Sequence, residues 1–336
     1  MPPVVDGNVY AQTRPADLSA AVRRDPRLVY VPNGKADTVS VLDQASFRVL
    51  RTFPVGSQPE HVVPSYDLRT LWVTSDRGNS MTRVDPRTGK PTGRVSVPDP
   101  YNLYFTPDGK SAVVVAERLQ RLDFRDPQTM RLQSTTPVDC PGIDHLDFSG
   151  DGRYLLATCE FSRRIVKVDT VSRRVVGYLR LAAGASPQDI RVGPDGRTFF
   201  VADQGLNSLL IVDGPSLRLT GRIAGLRGAH GIYPSRDSRS LYVSDRRGSA
   251  VTVVDVATRQ ARTRWKIPGG GSPDMGGVSA DGTQLWLTGR YTHFVYVFDT
   301  RRGTLLRKIA GLAGPHGASV WPQPGRYSLG HTASMR

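Results

Sequence analysis

Six histidines carry most of the chemistry open to this chain: His61, His145, His230, His293, His316 and His331. Four of them sit in similar company. His61 follows Pro59-Glu60, His145 follows Ile143-Asp144, His230 follows Gly228-Ala229 and His316 follows Gly314-Pro315. Each stands four or five residues ahead of a Ser-x-Asp turn or a degenerate copy of one. In the other copies that place holds Asn102, Gln188-Asp189 and Asp274-Met275. Imidazole is the commonest protein ligand for late first-row metals, and a multi-histidine site suits copper, zinc or iron. His61, His145, His230 and His316 are therefore the expected metal ligands. Copper comes first on ligand preference, zinc and iron after it, with Asp274 or Asp189 assisting. Two other readings remain open at this point: a metal-free polar pocket, and histidines that only serve turn geometry. One detail complicates a single ring. Counted back from the turns, His230, His316 and Asp274 fall one residue earlier than His61, Asn102, His145 and Asp189. Successive strand residues face opposite ways. Either the strand starts differ or the ring has two tiers.

Further polar residues point to the same region. Asp76-Arg77, Glu117-Arg118, Glu160, Asp203-Gln204, Asp245-Arg246 and Arg290-Tyr291 each close an apolar run. Arg290 and Glu160 follow such runs directly and are the preferred ligand-binding residues, joined by Asn102, Asp189 and Asp274. Arginines and carboxylates around one pocket bind a small polar or anionic molecule. His293 is expected at the periphery, and His331 is a candidate cap over the pocket. Glycine-rich phosphate loops, His-Glu-x-x-His pairs and Gly-x-Ser-x-Gly elbows are absent from the sequence. Whether the chain is an enzyme stays open on these residues.

The elements that must position these side chains announce themselves by repetition. About every 43 residues a hydrophobic stretch meets a turn such as Thr106-Pro107-Asp108-Gly109, Ser149-Gly150-Asp151-Gly152 or Ser279-Ala280-Asp281-Gly282. Each copy then closes on a Val-Asp pair or a relative of one, such as Val168-Asp169, Val212-Asp213 and Val254-Asp255. Short strands repeated at this length predict an all-β, seven-bladed propeller of four-stranded antiparallel blades. Inner strands should begin near Glu60, Tyr101, Asp144, Gln188, His230, Asp274 and His316. The repeat starts on a second strand and finishes on a first strand, so both termini should complete the first blade. Residues 1–26 read as an irregular lead-in, 27–324 as the propeller and 325–336 as a tail folded over one face.

Composition fits and constrains this reading. The 34 glycines and 25 prolines among 336 residues suit many tight turns. Net charge is +15, but the arginines are scattered and no block of five like charges occurs. The sequence carries no strong nucleic-acid signal, because basic residues are not interleaved with an aromatic stacking platform. No stretch approaches the roughly 18 apolar residues of a membrane helix. The opening Met1-Pro2-Pro3-Val4 reads as a trimmed start, with an export signal expected upstream and an extracellular or cell-envelope destination. Cys140 and Cys159 flank a hairpin, so a disulfide is geometrically open to them, as is a buried reduced pair. A monomer is expected.

Val29-Tyr30-Val31-Pro32-Asn33 with Thr38-Val39-Ser40-Val41-Leu42-Asp43 resembles the YVTN-type β-propeller repeat, as do Leu241-Tyr242-Val243-Ser244-Asp245 and Phe199-Phe200-Val201-Ala202-Asp203. The resemblance spans about residues 27–324. It implies a seven-bladed and usually exported bacterial propeller. Its relatives include lactonases, haem-d1-binding domains and plain binding scaffolds. It therefore adds three alternatives: a lactonase-like hydrolase, a haem-d1-like cofactor on a ring histidine, and a non-catalytic envelope scaffold for a protein or anionic polymer. Fold alone does not choose between them.

Overall fold

The computed structural model describes residues 7–331 and 334–336. Seven four-stranded antiparallel sheets close into a ring, and the first blade takes Ser319–Trp321 as its inner strand and Leu28–Asn33, Thr38–Asp43 and Val49–Pro54 as the next three. Both ends of the repeat thus share one blade, as the sequence predicts. Closure is sealed where Gln44 Nε2 donates to the carbonyls of Trp321 (2.7 Å) and Leu28 (3.0 Å). Ring closure leaves no inner edge open to other chains.

The recurring sequence signals now have physical reasons. In the turn after each inner strand, the Ser or Thr hydroxyl donates to the Asp two residues on, at 2.6 Å in five of the blades. The fourth turn residue needs a left-handed backbone, which Gly109, Gly152, Gly196 and Gly282 supply at φ between 67° and 75°. The Val-Asp pairs end third strands, and the Asp carboxylate accepts backbone N–H bonds from the turn that follows. Asp169 takes Ser172 N at 2.7 Å and Asp255 takes Thr258 N at 2.6 Å. Inner and second strands are buried on both faces, and the second strands, such as Ala112–Ala116, read as near-continuous apolar runs. Outer strands are mostly exposed, and in Arg174–Arg180 only Val175, Gly177 and Leu179 turn partly inward. Twelve of the 45 Lys and Arg residues lie on these outer strands.

Antiparallel order places the Ser-x-Asp turns on one face and the blade-to-blade connections on the other, where the central channel opens. Cys140 and Cys159 form a disulfide across the fourth blade, with Cα atoms 5.1 Å apart. This decides for the bridged pair.

Both flanking segments depart from a surface course. The first six residues of the expected lead-in lie outside the described residues. Beyond them Val9 and Tyr10 are buried in the core of the fourth and fifth blades, and the Tyr10 hydroxyl donates to Val192 O at 2.6 Å. The tail expected over one face instead enters the channel from the turn face through its described residues, 325–331 and 334–336. Ser328 N donates to Tyr66 O, Phe105 N to Leu329 O and His331 N to Leu103 O. The reason is apolar: Leu329 and Met335 are buried in two of the blade cores. His331 therefore rises inside the channel rather than capping its mouth. Among the described residues, no helix is long and apolar enough to cross a membrane.

Candidate metal centre

The inner strands start irregularly. Pairing with the second strand slips between Pro59 and His61, Ile143 and Leu146, Pro187 and Ile190, and Ala229 and Ile232. Slips of this kind re-aim side chains next to functional sites. A hydroxyl on the second strand fills three of the four gaps. Thr74 receives His61 N at 3.1 Å, Thr158 receives His145 N at 3.2 Å and Ser244 receives Gly231 N at 2.8 Å. The same hydroxyls donate to carbonyls of the next blade, at Tyr101, Gln188 and Asp274. The mouth of the channel is therefore stapled blade to blade.

This geometry resolves the one-residue offset as two tiers. Five residues before each turn stand His316, Glu60, Tyr101, Asp144, Gln188, His230 and Asp274. Four residues before it stand Gly317, His61, Asn102, His145, Asp189, Gly231 and Met275. His230, Asp274 and His316 form one compact group, and His61, His145 and His331 form another; ligand atoms within each group lie within 4.8 Å of one another. Both groups are buried. The four predicted histidines do converge on the axis, but in two groups, and His331 joins them as a fifth. Ring centroids are 4.9 Å apart for His61 and His316, 5.5 Å for His61 and His145, and 4.5 Å for His145 and His331.

In the upper tier each of two carboxylates meets a histidine and an arginine. His316 Nδ1 lies 2.9 Å from Glu60 Oε2, and Glu60 Oε1 accepts from Arg290 at 3.0 Å and from Gln58 at 2.8 Å. His230 Nδ1 lies 2.9 Å from Asp274 Oδ1, which also accepts from Arg246 at 2.6 Å. Burial opposes these carboxylates' charge, but the facing His316 and Arg290 bring Glu60 down to about 2. Arg246 and His230 likewise hold Asp274 well below the usual carboxylate range. Burial and the nearby Arg246 cation bring His230 down to about 4. The third carboxylate, Asp144, crosses to the lower tier and sits 2.7 Å from His145 Nδ1. Burial lowers His145, yet the Asp144 charge outweighs it and the net shift is upward.

In the lower tier burial governs two of the three imidazoles. Burial pushes His61 and His331 well below the ordinary imidazole range, helped by the other ring histidines. Both nitrogens of His61 are buried with no hydrogen-bond partner among the described residues. Space for that ring comes from Gly317, where a Cβ would stand 2.0 Å from His61 Nδ1. Asn102 fixes the tilt of His331, its Nδ2 lying 3.1 Å from His331 Nδ1. Asp189 accepts the backbone N–H of Ile190 (2.9 Å) and Ile232 (2.8 Å), and so clasps two blades; it stays 3.8 Å from His331 Nε2. Beneath it Arg191 is fully buried, 3.8 Å from Asp189 and 3.9 Å from Asp147.

Around the mouth a third layer appears. The residue directly after each second strand is Asp76, Glu117, Glu160, Gln204, Arg246 and Arg290 in blades two to seven. One arc is acidic and the opposite arc basic. Burial, with Asp144, Asp76 and Glu160 nearby, raises Glu117 to about 8. Burial and Asp144 raise Glu160 as well. Arg290 and Glu160 thus take opposite sides of one mouth. His293 stays outside the ring, accepting Gly314 N at 2.9 Å. Sequence reasoning placed Arg246 among the loop residues of this region and Glu60 and Asp144 at strand starts, but did not pair them with the histidines. Counting back five residues from every turn would have aligned both carboxylates with His230 and His316. For His331 no repeat signal existed.

Fold and site together define a seven-bladed propeller with an imidazole-lined axis. The chain belongs to the YNCE-like β-propeller family, which matches residues 1–323. This agrees with the YVTN-type resemblance. Among curated proteins none matches this chain. Solved structures share the fold. Hydrazine synthase of Kuenenia stuttgartiensis is 20% identical with a TM-score of 0.71, over 82% of this chain and 92% of that one. A functionally unknown protein of Desulfotomaculum acetoxidans is 17% identical with a TM-score of 0.74, over 88% and 98%. The dihydro-heme d1 dehydrogenase NirN, solved in complex with DHE, is 17% identical with a TM-score of 0.66, over 92% and 79%.

Proposed function

We propose that this chain is a metal-binding propeller that holds a late first-row ion, copper by preference, on its axial histidines. One observation carries the reading: five imidazoles converge in a buried channel, and His61 leaves both ring nitrogens without a protein partner. A buried unpaired polar group costs about 1–3 kcal/mol, so native proteins seldom leave one without a purpose. A bound ion removes that cost. The donor chemistry fits. Neutral imidazole is the ligating form, and carboxylates behind His145, His230 and His316 are the usual means of orienting a metal-bound ring. Met275 Sδ lies 3.2 Å from His230 Nδ1, and a thioether beside imidazoles favours copper over harder ions.

In this reading the mouth receives a small polar molecule between its two arcs. Arg290 and Arg246 face the anionic part, and Glu117 and Glu160 the cationic or hydrogen-bonding part. The ion supplies Lewis-acid or redox chemistry when bound, and the arcs orient what approaches it. A haem-d1-like macrocycle fits the axis less well, because rings 4.5–6.3 Å apart already fill it. It would have to sit above the mouth on His230 or His316. An exported location is part of the proposal and draws its support from the Cys140–Cys159 disulfide.

Elemental analysis tests the reading. The chain, purified without added metal or a histidine tag, is loaded with Cu(II), desalted and measured. At least one ion retained per chain, lost on His61→Ala with His145→Ala, supports it. No retained copper, zinc or iron overturns it.

A further inference from the structure

The tail does more than fill the channel. Residues 325–331 and 334–336 pair as the two arms of a hairpin: Leu329 N donates to Ser334 O at 2.7 Å, Arg336 N donates to Tyr327 O at 3.1 Å, and Ser328 pairs with Met335. His331 stands at its tip, among His61 (5.1 Å between centroids), His145 (4.5 Å) and Tyr104 (5.7 Å). Its base is pinned by a buried charge. Arg336 Nη2 donates to Asp147 Oδ1 at 3.0 Å, and its guanidinium lies 4.9 Å from the Tyr10 ring centroid. Arg191 adds a bond to the Ser334 hydroxyl, and Tyr327 stacks on Tyr66 at 5.0 Å.

Resting on the metal-binding reading, we infer that the lower tier is a closed all-imidazole site whose third ligand, His331, is delivered by this hairpin. Seating of the hairpin and retention of the ion are then one linked equilibrium. The blades contribute only two imidazoles to this tier, since its other places hold Gly317, Asn102, Asp189, Gly231 and Met275. Two imidazoles are a weak site for a late first-row ion, whereas three in a dry pocket are a strong one. The ion must enter from the mouth, because the hairpin occupies the other end. Whatever binds only the seated form stabilises it by mass action. The bound ion should therefore slow opening of the hairpin, and loosening the hairpin should release the ion.

The test uses the full chain with Cu(II) or Zn(II) as the probe. Hydrogen exchange across residues 325–331 is measured with and without ion, and Cu(II) electron paramagnetic resonance counts coordinated nitrogens. Wild type should show at least tenfold slower exchange when loaded, and coupling to three imidazoles. His331→Gln should lose one nitrogen and on the order of 100-fold in affinity. Arg336→Ala touches no ligand, and should speed exchange and weaken the ion by about tenfold; it also serves if the glutamine variant fails to fold. Wild type that retains the ion, with His331→Gln unchanged in affinity and nitrogen count, overturns the hairpin's role and leaves the metal reading standing. Wild type that retains no ion removes both.

Discussion

The two tiers of the axis occupy adjacent positions on the same seven strands, yet they differ in almost every physical respect. In the upper tier His316 and His230 each face a carboxylate that is itself held by an arginine. In the lower tier His61 and His331 are pushed toward the neutral form by burial. The contrast follows from chain alternation. One residue of offset moves a side chain from the arginine-rimmed mouth to a level where Gly317 makes room for an imidazole. A propeller can thus build two layers of different electrostatic character from a single strand position and its neighbour.

The contrast is sharpest if ligands are removed tier by tier. His61→Ala with His145→Ala should lower copper affinity by more than about 100-fold, whereas His230→Ala with His316→Ala should lower it by about tenfold, read by competition with a chromogenic chelator. Equal losses from the two pairs would merge the tiers into one site. Glu60→Gln and Asp144→Asn come next. Removing a carboxylate behind a metal-bound imidazole costs roughly 10–100-fold in affinity. Asp144→Asn should show the larger effect, since its partner His145 belongs to the lower tier.

Gly317→Ala probes the room that the lower tier needs. The new methyl would meet His61 Nδ1 at 2.0 Å, so the ring must move. Overpacking of this kind costs about 1–3 kcal/mol. Thermal unfolding should register that loss together with weakened metal, while the Glu60–His316 pair survives. The smallest effect is electrostatic and belongs to the mouth. Glu117 titrates near 8 in the folded chain against 4.5 as the ordinary value. The folded state then binds the extra proton between those limits, and its stability falls as pH rises from about 4.5 to 8. Glu117→Gln should flatten that decline in the melting temperature. An unchanged slope would show that Glu160 or Asp76 sets it.

Much of this protein was legible before its fold was seen. The Ser-x-Asp turns and Val-Asp pairs are local hydrogen-bonded devices, so their spacing alone gave seven blades and the closure of the first. The histidines recurred four or five residues ahead of those turns, so their convergence was legible too. The Glu60–His316 and Asp274–His230 pairs were not, because each joins neighbouring blades far apart in sequence, and the first joins opposite ends of the repeat.

Local sequence, then, determined the strand, the turn and the place on the strand where each imidazole stands, because backbone hydrogen bonding and alternation act over a few residues. Only the closed ring decided which side chains meet across the axis, and it did so through burial. Leu329 and Met335 find apolar cores inside the channel, and that is why the tail carries His331 inward instead of lying over a face.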